Sequence, residues 1–407
     1  MLTLYGDGIH DDTAAIQELL DSKREVVLPE PEAFYLISRP LEIGSFTRLL
    51  LPRFAEIRLA PGSNCLMLRN KMRYAPAERL PEGINEILRH ISIYVNDYSP
   101  EPEDTVTDIE IVGGIWNFNN MEQNPNPQQT KDFSIRAFSG AGMLFYNVRG
   151  IKLSDMTLKD PSNYAIAFDR VSYFTVEHLT FDFNYGNPYA LNMDGIHLNG
   201  NCHFGVMRDM KGACYDDLVA LNADEGSHGP ITNIEIDGIF AEKCHSAVRL
   251  LSVHHRVEKI HISNVFGTYY QYCIGISKHY PGVTDGGFDT ISIDHVYASK
   301  AVREPHLYPF PNSYVYPLIW IQKDSYVRNL TVTALHRREY NVPVETFHIG
   351  QNTVVERLLL DDVTTENHTG EPMPLLVNKG VIRVYEARSI RGDEDAVVVN
   401  AGTIGMA

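Results

Sequence analysis

A short phrase recurs along most of the chain, and its spacing limits the folds available. It reads apolar-x-apolar, two or three further residues, apolar again, then a loop. Copies occur as "DIEIVGGIW" at Ile109, "GIKLSDMTL" at Ile151, "YFTVEHLTF" at Phe174 and "HFGVMRDM" at Phe204. They continue as "NIEIDGIFA" at Ile234, "KIHISNVFG" at Ile260, "TISIDHVYA" at Ile291, "NLTVTALH" at Leu330, "RLLLDDVT" at Leu358 and "VIRVYEAR" at Ile382. Neighbouring copies are separated by as little as 23 residues (Ile151 to Phe174) and as much as 42 (Ile109 to Ile151). Alternation with a period of two, rich in β-branched residues, is the pattern of a half-buried strand. Repetition near 25–30 residues means stacked supersecondary units.

No long helical stretch separates the copies, which argues against β/α units and leucine-rich repeats. Close hairpin signals such as Asn-Gly are infrequent, which argues against a two-sheet sandwich. Three short strands per turn fit the spacing. The expected fold is all-β: a single-stranded right-handed parallel β-helix, a solenoid of about ten coils forming one domain over residues 1–407. Its ends need protection. "DDTAAIQELLDS" supplies a short N-terminal capping helix within residues 1–25, with Asp11 and Asp12 at its positive end and Ile16, Leu19 and Leu20 as its apolar stripe. "EVVLP" and "FYLIS" then begin the strands. Segments 70–106, 116–141 and 299–317 interrupt the repeat and read as long loops walling a cleft, the third carrying Tyr308, Phe310, Tyr314 and Tyr316.

Composition is that of a globular protein, with 44% apolar and 21% charged residues among 407. The net charge of -17 argues against nucleic acid or an anionic membrane as partner. No apolar run approaches the length of a membrane span. The opening "MLTLYGDGIHDD" lacks the basic and apolar regions of a secretion signal, so a cytoplasmic location is expected, or a secreted one if a signal has been removed. The five cysteines, Cys65, Cys202, Cys214, Cys244 and Cys273, have no metal-binding spacing and read as buried free thiols. No EF-hand loop or His/Cys cluster is visible, so no cofactor or metal is implied, although scattered Asp pairs would suit Ca²⁺.

The segments "NMDGIHLNG" (192–200), "YDDLVALNA" (215–223), "HSAVRLLSV" (245–253) and "QYCIGISKH" (271–279) overlay on their apolar alternation. Asp194 then falls level with Asp217, and His197, Ala220, Arg249 and Gly275 form a ladder. Neighbouring parallel strands lie about 4.8 Å apart. The overlay therefore gathers Asp194, Asp216 and Asp217, flanked by Asn192 and Asn222, with Arg249 one coil further on. Carboxylates brought so close cannot all ionise normally, and one is driven to keep its proton. A protonated acid beside an ionised base is what glycosidic bond hydrolysis uses. The bland alternative is that these are Asx-turn residues of a solenoid corner, which is the better reading for any one of them alone. "HHR" at 254–256 reads as a solvated turn, and Tyr269, Tyr270, Tyr272 and Trp320 as either core or sugar-stacking faces.

"GDGIHDDTAAIQ" at residues 6–17 resembles the N-terminal signature of the pectate-lyase-like β-helix superfamily. "NMDGIHL" followed by "YDDLVAL", and then "AVRLLS", resemble the N-T-D, D-D and R-I-K motifs of the polygalacturonase family, glycoside hydrolase family 28. The resemblance implies an inverting hydrolase of a pectin-type glycan or oligosaccharide. It implies Asp216 as general acid, Asp194 and Asp217 as holders of the attacking water, and Arg249 as a substrate contact. Asn192, His197 and Lys278 join the expected substrate-binding set, and His228, matching the family's H-G motif, orients the acid. Met193, Tyr215 and Leu251 stand where the family has Thr, Gly and Lys. With that lysine gone, two substrates are open. One is a uronate held by Arg249 with His197, His254, His255 or Lys278; the other is a neutral sugar such as galactose or rhamnose. A lyase or epimerase on the same scaffold, and a non-catalytic glycan-binding or tailspike β-helix, are the competing classes. Oligomeric state is not legible.

Overall fold

The structure, a computed structural model, describes residues 2–71, 105–125, 141–282, 285–304, 314–392 and 397–406. The chain divides into two compact units: Met1–Gly205 with Glu225–Ser227, and Val206–Asp224 with His228–Ala407. The fold is nearly all-β, a right-handed parallel β-helix, with one short α-helix among the described residues. No helix there is long and apolar enough to cross a membrane. The expected loops lie largely outside the described residues, Tyr308 and Phe310 included. Their borders are later than expected where they can be seen. Ile115–Asn117 is a strand, Asn120–Glu122 a 3₁₀ turn, and the strand Gly287–Lys300 runs past position 299.

In the first unit, the helix Thr13–Ser22 packs Thr13, Ala15, Ile16 and Leu20 inward, while Leu19 is only half-buried. The N-terminal signature has a physical purpose here. Asp12 accepts the backbone N–H groups of Tyr5 at 2.6 Å and Gly6 at 3.1 Å, closing the turn before the helix. Gln17 donates to the Glu42 carbonyl at 3.0 Å and accepts the Glu42 N–H at 2.8 Å. Its side-chain amide thus pairs with the strand Leu41–Ile43 as another strand would, satisfying an edge that is otherwise open.

The second unit shows the coil most plainly. Short strands Asp217–Asn222, Ser246–Leu251, Ile274–Ser277, Ile319–Ile321, Phe347–Ile349, Leu376–Asn378 and Val398–Asn400 pair in parallel, each with the next. Long strands Ile231–Cys244, Arg256–Tyr269, Gly287–Lys300, Tyr326–Glu339, Val354–Asn367 and Val381–Gly392 do the same. The sequence pattern predicts three strands per coil, and two of them prove to be arms of one long strand. The arms meet at a single left-handed residue, and these residues stack in register. They are Gly238, Asn264, His295, Ala334, Asp362 and Ser389, with φ of 81°, 56°, 51°, 49°, 51° and 53°. Left-handed backbone costs a non-glycine residue about 1–2 kcal/mol, which the stacked core on either side of the bend must outweigh.

That core is made of columns. Ile234, Ile260, Ile291, Leu330 and Leu358 pair in one row, and Ile236, Ile262, Ile293, Val332 and Leu360 in the next, all buried. Each such side chain contributes roughly 1.5–3 kcal/mol by leaving water. Two copies of the repeat are out of phase with their sequence pattern: Phe204 is exposed and stacks on Tyr173 while Gly205 lies under the Phe174 ring, and the last copy is shifted as well. Tyr385, not Ile382, pairs with Leu358, and Ile382 pairs with Val355. Of the five cysteines, none forms a disulfide, and all but Cys65 are buried.

Candidate active site

Each unit holds a constellation of carboxylate and imidazole. In the first, Asn192 adopts left-handed backbone (φ 57°) and its amide donates to Asn163 at 2.9 Å, setting up the entry to the strand Ile196–Leu198. Met193 is core. Asp194 Oδ2 lies 2.6 Å from His197 Nδ1, and His197 Nε2 lies 2.9 Å from Glu225 Oε2. The Tyr164 ring stacks on the imidazole with centroids 3.9 Å apart. All three charged side chains are buried. Burial alone would push His197 down, but hydrogen bonds from its two ring nitrogens to Asp194 and Glu225, with the charges of both, hold it up at about 10. His197 is therefore an imidazolium bridging two carboxylates.

In the second unit, Asp216 ends the bend before the strand Asp217–Asn222, and Asp217 opens it. Asp217 is 1% exposed. Its Oδ1 accepts the hydroxyls of Ser246 and of Tyr272, the latter at 3.0 Å, and its Oδ2 faces Arg249 Nη1 at 3.6 Å. Asp216 is more open, with 15% of its side chain exposed, and its Oδ1 lies 3.5 Å from His245 Nδ1. The Cys214 thiol donates to the Asp216 carbonyl at 3.1 Å and fixes the backbone there. Burial pushes His245 down to about 3, helped by the positive charges of Arg303, Arg249 and Lys300. His245 is neutral at ordinary pH, so Asp216 faces an imidazole rather than an imidazolium.

The ladder read from the sequence holds within this unit for Ala220, Arg249 and Gly275, which are register partners, and the structure extends the row to Trp320 and His348. Arg249 Nε donates to Ser277 Oγ at 3.1 Å, which aims its guanidinium along the row. Tyr272 stacks on Trp320 (5.4 Å), and Tyr316 meets Trp320 edge-on (5.0 Å), with Tyr314 against Tyr316 (4.6 Å). These rings form an aromatic wall beside Asp217. Tyr215 packs against Tyr270 and Ala301. Lys278 Nζ donates to the Gly282 carbonyl. Lys300, buried, is pushed down to about 7 by burial and by Arg337.

His228 sits elsewhere in the second unit's contacts, grouped with Asp224 and His255. The sequence shows no metal-ligand spacing, yet among the described residues the fold assembles two groups able to hold an ion: Asp224, His228 and His255, and Asp216, Asp217 and His245. Sequence reasoning missed Glu225, His245 and Ser246. A signal existed for the last two, since Asp217 pairs with Ser246, placing His245 one coil from Asp216. Glu225 had none, because it comes from a turn with no repeat phase.

No protein-family model matches the sequence, and no curated protein matches it. Solved structures match the fold. A surface adhesin of Streptococcus pneumoniae superposes with TM-score 0.59 at 16% identity, covering 98% of this chain and 91% of its own. The A-module of a mannuronan C-5 epimerase from Azotobacter vinelandii gives 0.56 at 11%, over 99% and 97%. A hyperthermoactive exopolygalacturonase from Thermotoga maritima gives 0.54 at 13%, over 89% and 85%. The likeness establishes the parallel β-helix and nothing narrower.

Proposed function

We propose that the protein is a glycoside hydrolase, cleaving a glycosidic bond of a pectin-type glycan or oligosaccharide with inversion. The observation that carries this reading is the asymmetry of the adjacent pair Asp216 and Asp217. Asp217 is buried and anchored by two hydroxyls and faced by a guanidinium, which favours its ionised form. Asp216 is partly open and faces a neutral histidine, with no cation beside it in that contact. One carboxylate held as a base and one free to donate is the division of labour that glycoside cleavage requires. Asp216 is the general acid and Asp217 the base that holds the water, while Arg249 contacts the sugar. The rings of Trp320 and Tyr316 offer faces to apolar sugar C–H groups.

Product analysis on a glycan panel tests this directly. Wild type should release reducing ends with inverted anomeric configuration. Asp216→Asn should lose about 10²–10⁴-fold in rate. Hydrolysis that survives undiminished in that variant sinks the assignment.

A second reading, a lyase or epimerase acting on a uronate, is favoured by one observation. Asp216, Asp217 and His245 each offer a ligand atom within 4.8 Å of the others, so a cation could sit where a uronate carboxylate would need neutralising. An unsaturated, ultraviolet-absorbing product without hydrolysis would select it.

A further inference from the structure

Three side chains of the second unit, in the turns after the strand Asp217–Asn222 and before the strand Arg256–Tyr269, have no part in the proposed hydrolysis. Asp224, His228 and His255 each present one ligand atom, all within 4.8 Å of one another. Asp224 is 3% exposed. Its Oδ2 accepts the backbone N–H groups of Val253 at 2.5 Å and His254 at 3.1 Å. Those amides fix the carboxylate plane; the His254 N–H also reaches Oδ1, at 3.2 Å, and Oδ1 faces His255 Nδ1 at 2.7 Å. His228 is a non-glycine residue held in left-handed backbone (φ 45°), and its ring meets that of His255 edge-on at 6.2 Å.

We propose that Asp224, His228 and His255 form a binding site for a divalent transition-metal ion of the Zn²⁺ class. Two imidazole nitrogens and one carboxylate oxygen bind such an ion at about 2.0–2.2 Å, which places the ligand atoms about 3–4 Å from one another. The three atoms already lie within 4.8 Å of one another, close to that arrangement. Two nitrogen ligands select a borderline ion over Ca²⁺ or Mg²⁺, which take oxygen. The amides on Oδ2 supply the outer contacts that hold a ligating carboxylate in place. The His255 side chain remains 37% exposed, so the remaining coordination position is open to water or to an oxygen of a bound ligand. The ion would tie together turns belonging to successive coils, since Asp217 pairs with Ser246. This gives His228 a ligand's role in place of the acid-orienting one that the family resemblance implies, and it is independent of whether the protein hydrolyses glycosides.

The test uses the full chain, stripped with a chelator and titrated near neutral pH with Co²⁺ followed by visible absorption, and with Zn²⁺ by calorimetry. One ion per chain is expected, with His228→Ala and His255→Ala each weakening binding by about 10–100-fold. His255→Cys should retain the ion and add a sulfur-to-cobalt charge-transfer band, a readout that a purely structural histidine cannot produce. Asp216→Asn should bind as wild type does. Absence of stoichiometric binding overturns the proposal. So does binding that survives in the folded His228→Ala/His255→Ala double variant, or binding that Asp216→Asn abolishes, since both place the ion elsewhere.

Discussion

The first unit holds Asp194–His197–Glu225 and the second holds Asp216, Asp217 and His245. Each is two carboxylates and one buried imidazole, yet the two histidines move in opposite directions, to about 10 and to about 3. Burial acts on both alike. What differs is the company. Both ring nitrogens of His197 lie against carboxylates, whereas His245 has one carboxylate at 3.5 Å and the charges of Arg249, Lys300 and Arg303 around it. The first group is a closed ion cluster with its proton locked in. The second leaves Asp216, partly open, facing a neutral imidazole. Composition at a site therefore says little about chemistry until the neighbouring charges are counted.

The contrast can be broken in several ways. The largest effect is on activity: Asp216→Asn should abolish about 10²–10⁴-fold of the rate while leaving the denaturant midpoint close to wild type. Glu225→Gln should do the reverse. Removing one charge from a buried, paired cluster costs about 3 kcal/mol of stability, read as a lowered unfolding midpoint. An unchanged midpoint would mean that the cluster does not hold the first unit together.

The pH dependence of stability separates the two histidines by sign. His197 is raised from 6.5, so its stabilisation is complete below about 6.5 and is lost as pH rises through about 10. His245 is lowered from 6.5, so the unfolded chain binds the extra proton, and stability falls as pH drops from about 6.5 towards 3. Unfolding curves of His197→Gln and His245→Gln should each flatten one limb only. A variant that flattens the wrong limb reverses the assignment.

Tyr272→Phe removes the hydroxyl that donates to Asp217 and should cost about 2 kcal/mol, divided between stability and turnover. The smallest effect belongs to the fold rather than the site. Ala334→Gly relieves left-handed backbone and should raise stability by less than about 1 kcal/mol, with activity unchanged.

Much of the architecture is legible in the sequence. The apolar-x-apolar phrase places the columns headed by Ile109 and Ile234, because a period of two forces alternate side chains inward. "GDGIHDDTAAIQ" announces the helix Thr13–Ser22. The register of Ala220, Arg249 and Gly275 also follows from the alternation. The phase of the last copy does not, since "VIRVYEAR" offers two apolar frames and only pairing with Leu358 chooses Tyr385.

By itself, then, the sequence determined the repeat, the fold class and the strand that Asp217 opens just after Asp216. Those depend on local alternation, which each coil carries in its own residues. Only the tertiary structure decided that His197 is charged and His245 neutral, that Glu225 completes one cluster, and that Asp224, His228 and His255 converge. The physical reason is the same in each case. A pKa and a ligand set depend on what faces a side chain across space, and those partners come from turns and neighbouring coils that no sequence period connects.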